Sequence, residues 1–162
     1  MLHHQKLNQQ ICEYINLFKV PNPVNVTFTE KQSFNGLWLD DIVSEQNFRH
    51  FSNHLNRKVF GNGWRRYGKR LKMLVVREIS PLNRHHLHTC IELPQRLSLS
   101  TFHSQIKSTW ERCDFGYNHI HIEKPSSLAR EEGWIRYMMK THYMKGFEYN
   151  IDWTNSTVLT PC

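Results

Sequence analysis

Residues 78–93 read Glu78-Ile79-Ser80-Pro81-Leu82-Asn83-Arg84-His85-His86-Leu87-His88-Thr89-Cys90-Ile91-Glu92-Leu93. In an extended chain Leu87, Ile91 and Leu93 fall on one face, and His86 and His88 on the other. The spacing predicts a strand with one face in a core and two imidazoles side by side on the opposite one. Neutral imidazole is a metal ligand. Upstream, Met73-Leu74-Val75-Val76 is an apolar run leading to Glu78, which predicts a preceding strand. Pro81 and Asn83 mark a turn between the two. An antiparallel hairpin over this stretch would set Glu78 beside His86 and His88. Two imidazoles and one carboxylate leave most of a metal's coordination shell open to substrate and water.

Working outward, Val24-Asn25-Val26-Thr27-Phe28-Thr29 alternates in the same way and predicts a half-buried strand. Tyr117-Asn118-His119-Ile120-His121-Ile122-Glu123 is a third, with Ile120 and Ile122 toward the core. It carries a second His-hydrophobic-His and its own carboxylate, Glu123, so a ligand set can be drawn there too. Helices separate the strands. Ser44 is expected to cap one over about 45–60, striped by Phe48, Phe51, Leu55 and Val59. Ser98 or Ser100 caps another to about Trp110, with Leu99, Phe102, Ile106 and Trp110 on one side. Pro125-Ser126-Ser127 opens a third, running to about 142. Residues 30–43 read as a loop, 1–20 as a peripheral arm or helix, and 154–162 as a frayed tail after a possible strand at Tyr149–Trp153. The sum is a single α+β domain: one antiparallel sheet, helices packed on one face, and a polar platform on the other.

The chain has 162 residues and a net charge of +7, which favours a polyanionic partner, nucleic acid before an anionic membrane. Arg57, Lys58, Arg65, Arg66, Lys69, Arg70 and Lys72 bring seven cations and no acid into sixteen residues, interleaved with Trp64 and Tyr67. Cations neutralise phosphates and rings stack on bases, so this stretch suits single-stranded nucleic acid. No apolar run is long enough for a membrane span, and no secretion signal opens the chain. Cys12, Cys90, Cys113 and Cys162 are scattered without a Cys-x-x-Cys pair, which argues against a zinc ribbon and fits a reducing cytoplasm.

Three motifs stand in order: Asn25-Val26-Thr27-Phe28-Thr29, then His86-Leu87-His88 with Glu78 eight residues before His86, then Tyr137-Met138-Met139-Lys140. Across about residues 24–143 this resembles the HUH endonuclease superfamily, in particular the single-tyrosine initiators of rolling-circle replication in plasmids, phages and small single-stranded DNA viruses. Conjugative relaxases of that superfamily place the tyrosine first; here it follows the histidines, as in the initiators and the related small transposases. The resemblance implies a ferredoxin-like or RRM-like sheet. It implies Glu78, His86 and His88 as ligands of Mg²⁺ or Mn²⁺, Tyr137 as nucleophile, and Lys140 as the residue positioning metal and phosphate. Single-stranded DNA would be the substrate, contacted by Arg57, Lys58, Trp64, Arg65, Arg66, Tyr67, Lys69, Arg70, Thr27 and Thr29. By the family's spacing His86 and His88, with Tyr137 49 positions after His88, are favoured as ligands over His119 and His121, the latter only 16 positions before it. Tyr143 is expected to be structural.

The chain carries no Gly-x-x-x-x-Gly-Lys-[Ser/Thr], so strand unwinding would fall to a host helicase. The expected setting is the cytoplasm, on a plasmid or viral replicon. Three other readings remain at this point: a transposase of the same chemistry, a non-catalytic RRM-like module, and a mononuclear iron enzyme using the same two histidines and carboxylate.

Overall fold

Strand β1 (Pro23–Glu30) is inner, pairing antiparallel with β5 (His85–Glu92) on one side and β6 (Gly116–Glu123) on the other. Strand β4 (Met73–Ile79) pairs antiparallel with the far side of β5, giving the order β4-β5-β1-β6. Helix α2 (Asp41–Phe60) connects β1 to β4, and α4 (Leu99–Trp110) connects β5 to β6. This strand–helix–strand–strand–helix–strand path through an antiparallel sheet is ferredoxin-like. The computed structural model describes residues 3–79 and 84–159; the turn predicted over 80–84 lies mostly outside them.

The alternation in β1 and β5 sorts their side chains as predicted. Val24, Val26, Phe28, Leu87 and Ile91 are buried under α2 and α4, packed with Phe48, Phe51, Leu55, Phe102, Ile106 and Trp110. Phe28 is the hub: its ring lies 4.9 Å from Phe51 and 4.6 Å from Trp110. Removing such a ring costs about 3–5 kcal/mol. Ser98 caps α4, accepting from the Thr101 amide, and Ser127 caps α5 (Leu128–Met138), accepting from Arg130.

Several expectations are corrected. Helix α2 starts four residues early, because Asp40 caps it by accepting from the Val43 amide. Ser44 lies inside the helix and donates instead to the buried Glu30 carboxyl at 2.7 Å. The stretch taken as loop holds a tight hairpin, β2 (Ser33–Phe34) and β3 (Leu37–Trp38). Its turn residues Asn35 and Gly36 both have positive φ, the geometry that matches strand twist. The basic stretch is partly helical: α3 (Asn62–Tyr67) runs between Gly61 and Gly68 at φ 52° and 62°. The third predicted helix stops at Met138, so Lys140 stands in the turn after α5.

The second sheet face is not an open platform across its whole width. Helix α1 (His3–Leu17), α5 and the C-terminal segment cover the β4–β5 half, burying Leu74, Val76 and Cys90 with Ile15, Met138, Phe147 and Ile151. Asn8 fastens α1, donating to the carbonyls of His142 and Met144, each at 2.7 Å. The C-terminal segment is ordered against the outer edge of β4. The Met73 amide donates to Thr157 Oγ1, that of Val75 to Ser156 Oγ, and that of Arg77 to the Asn150 carbonyl. Asp152 returns a bond to the Val75 carbonyl. An exposed edge that would otherwise recruit another chain is thereby closed.

Two outcomes follow. Ser156→Ala leaves the buried Val75 amide without its acceptor and should lower unfolding free energy by about 1–2 kcal/mol in urea titrations. Burial pushes the Glu30 carboxyl up to about 7, against the pull of Ser44 and Asn47. A pKa raised in the folded state gives stability that is full below the unfolded value and lost as pH rises through the folded one. Glu30→Gln should therefore melt with the wild type near pH 4.5 and be more stable by about 3 kcal/mol above pH 7.

Candidate active site

Period-two registry puts Glu78, His86 and His88 on the face away from Phe28. Glu78 stands opposite His86 across β4–β5, and Thr29 and Thr27 stand opposite His86 and His88 across β5–β1. The His88 ring is buried, and its Nε2 lies 2.5 Å from Glu78 Oε2. A carboxylate only accepts, so Nε2 carries the proton, and Nδ1 accepts from the Thr27 hydroxyl at 3.1 Å. His86 Nδ1 meets the Thr29 hydroxyl at 3.4 Å. Thr27 and Thr29 thus orient the imidazoles, and Thr29 is buried rather than presented to a DNA strand.

Helix α5 lies over this row. Trp134 donates its indole N–H to the Thr89 carbonyl at 3.2 Å, which pins the helix to β5. Tyr137 stacks on Trp134 with centroids 5.4 Å apart and meets the His88 ring edge-on at 5.2 Å. Just past the helix, the Lys140 ammonium sits 2.8 Å from Glu78 Oε1 and 4.1 Å from the Tyr137 ring centre. Tyr137 is 44% exposed, open to solvent on the side facing a groove of about 420 Å³ lined by Asn25, Glu123, Arg130 and Trp134.

The charges are complementary. Burial works to raise the Glu78 carboxyl, but hydrogen bonds from Lys140 and His88 outweigh it and hold the carboxyl below its usual range. Burial lowers His88 and His86, so both rings are neutral near pH 7. Burial would also lower Lys140, but Glu78 and Tyr137 hold its ammonium above the usual lysine range.

Of the expected metal ligands, Glu78 and His88 are in contact, and His86 is Glu78's cross-strand partner. Among the described residues no group of three or more His, Cys, Asp or Glu stands ready to hold an ion. The Glu78 oxygens contact His88 and Lys140. The donors nevertheless suit a divalent cation: an ionised carboxylate, two neutral imidazoles, and a threonine on each Nδ1. A hydroxyl can accept as well as donate, so Thr27 supports His88 in either tautomer. A positive charge already lies against Glu78, that of Lys140.

The second His pair shares the sheet face of the first, on the far side of β1. His121 faces Thr27 from the other side of β1 and lies 3.8 Å from Glu123. His119 is close enough to His86 to disfavour its protonation. Tyr143 is 65% exposed and lies beyond α5, so it is not part of the core. The basic residues are not brought to this face: Arg57 and Lys58 end α2, which packs on the Phe28 side, and α3 follows them. Trp134 was not predicted as part of the site. Its only signal is its place three residues before Tyr137, one helical turn away.

No protein-family model matches the chain, and neither does any curated protein sequence. A solved structure that matches is a hypothetical protein from Sulfolobus islandicus rod-shaped virus 1, covering 82% of this chain and 91% of that one at 19% identity and a TM-score of 0.41. No helix among the described residues is long and apolar enough to cross a membrane.

Replacing Lys140 by Met removes the cation that holds Glu78 ionised. The Glu78 carboxyl should then titrate at higher pH, followed through its ¹³C resonance. A folded pKa below the unfolded one gives stability that fades as pH falls through it, so the variant should also lose acid stability earlier.

Proposed function

We propose that this chain is a metal-dependent, site-specific single-stranded DNA nickase and ligase that works through a 5′-phosphotyrosine and initiates rolling-circle replication. The observation that carries this reading is the convergence of Tyr137 and Lys140 with Glu78 and His88. They come from three separate segments and form a continuous cluster, with Tyr137 and Lys140 half in solvent.

Glu78, His86 and His88 would hold the divalent ion, Mg²⁺ or Mn²⁺. When bound, such an ion polarises a non-bridging phosphate oxygen. With Glu78 engaged by such an ion, the Lys140 ammonium would be available to screen the anionic phosphodiester and to favour the phenolate of Tyr137. The Tyr137 oxygen attacks phosphorus. A phosphotyrosine bond forms, the bond to the 3′ oxygen breaks, the phenolic proton passes to solvent, and the departing 3′ oxygen takes one up. The ester keeps the strand end activated, so attack by a 3′-hydroxyl reverses the step and rejoins DNA. Trp134 holds the phenol ring against His88, which fixes the nucleophile relative to the carboxylate. A transposase of the same chemistry would use the same residues.

A second reading, a non-catalytic nucleic-acid-binding module, draws on the lack of a ready ligand triad among the described residues. One experiment separates the two. A pool of single-stranded oligonucleotides is incubated with the protein and Mn²⁺, and covalent adducts are resolved on denaturing gels and by mass. The wild type should form a tyrosine-linked adduct that chelator abolishes. Tyr137→Phe should lose it by at least about 10³-fold while still binding DNA, and Lys140→Met should slow it by about 10- to 100-fold. Cleavage by the phenylalanine variant at the wild-type rate would refute the assignment. Binding without any adduct, indifferent to chelator, would establish the module.

A further inference from the structure

The basic residues of the α2–α3 region form a surface of their own. Helix α2 begins near the Glu78 end of the sheet, where Arg77 donates to the Asp41 carbonyl, and runs on the Phe28 side to the opposite end. There α3 turns back, and Leu71 leads into Met73. Met73 lies five residues before Glu78, about 17 Å along the strand at ~3.4 Å per residue. The sheet itself separates the two faces. The cations and Tyr137 therefore lie on different parts of the surface.

Arg57, Lys58, Arg65, Arg66, Lys69 and Arg70 are all exposed, and the ion pairs among the described residues use none of them. Two of them are held by neutral partners. Arg70 donates to the Asn53 side chain at 3.1 Å, and Lys58 donates to the hydroxyls of Ser108 and Thr109 at 3.1 and 2.8 Å. Arg112, following α4, adds its charge to the same field. Burial together with Arg112 lowers Lys58, and burial followed by His50, Arg57, Lys58 and Arg112 lowers His54. The side chains whose charge lowers Lys58 and His54 are all basic.

The rings of this region are poorly placed for a single strand. Trp64 is half-buried, with its indole nitrogen shielded from solvent and turned into the packing; only Tyr67 stands well out, at 76% exposure. Unstacked bases need a row of open ring faces, whereas a duplex keeps its base faces stacked and offers its phosphates to a field of cations. We propose that the α2–α3 end is a docking surface for the phosphate backbone of double-stranded DNA, separate from the platform that carries Tyr137. It recognises charge rather than sequence. If the strand-cutting reading holds, the protein straddles a junction, with duplex at one end and the strand to be cut on the other face. The duplex contact does not depend on that reading.

The test uses the full chain and fluorescence anisotropy with a short labelled duplex and a short labelled single strand. The triple variant Arg65→Ala/Arg66→Ala/Lys69→Ala, checked for an unchanged melt, should bind duplex at least about tenfold more weakly, with the slope of log K on log salt reduced by about 2–3. Its binding of the single strand should change by less than about twofold. Arg65→Lys/Arg66→Lys should restore duplex binding, because the contact is with charge. Unchanged duplex affinity in the triple variant, equal loss on both DNAs, or binding confined to anionic lipid vesicles would each overturn the proposal. Adduct formation by Tyr137 is read separately, so either idea can fail alone.

Discussion

In the ladder between β5 and β1, Thr27 stands opposite His88 and Thr29 opposite His86; in the ladder between β5 and β4, Glu78 stands opposite His86. These pairings are held by apolar side chains on the other face, where Phe28 and Leu87 are fully buried with Phe48, Phe51 and Trp110. A slip of one residue would reverse both faces of β5. His86 and His88 would enter an aromatic interior without partners, at a cost of several kcal/mol (roughly 2–7 for each unpaired polar group). The packing of the core and the alignment of the candidate site are therefore one constraint, expressed on two sides of a single strand.

The second face follows a different logic, that of charge compensation in a half-wet setting. Burial alone would favour a protonated Glu78 and a neutral Lys140. Their contact reverses both tendencies, and the neutral His88 completes the arrangement by donating to the same carboxylate. Trp134 and Tyr137 shelter this group on one side and leave the other open toward Asn25 and Glu123. The result is an anion and a cation kept ionised side by side, next to a phenol whose ring cannot drift.

Much of this was legible in the chain because period-two alternation is strong where one face is polar, as in β1, β5 and β6. The openings of α4 and α5 were legible to within a residue or two, and the structure selects Ser98 over Ser100 and, within Pro125-Ser126-Ser127, Ser127. The start of α2 was not, because Asp40 and Ser44 are both good caps; the choice falls to Asp40 since Ser44 is needed by the buried Glu30. Four consecutive apolar residues in β4 signal a strand covered on both sides, yet nothing local says that residues 150–157 do the covering. The hairpin reading set Glu78 beside His86 and His88, but the addition of Tyr137 and Lys140 was readable only through family resemblance, since spacing along the chain does not encode proximity between a helix and a sheet. The basic stretch was readable as a composition, but its location depends on the direction in which α2 crosses the core.

The clasp on β4 has a temporal consequence. Val75 and Ser156 are joined although 81 positions separate them, so during synthesis the strand bearing Glu78 emerges long before its outer margin has a partner. Until residues 150–157 leave the ribosome, that margin is an unsatisfied template, and the nascent protein depends on vectorial timing or on chaperones to keep it solitary. The strand that bears the central carboxylate thus gains its outer neighbour only once those residues have docked.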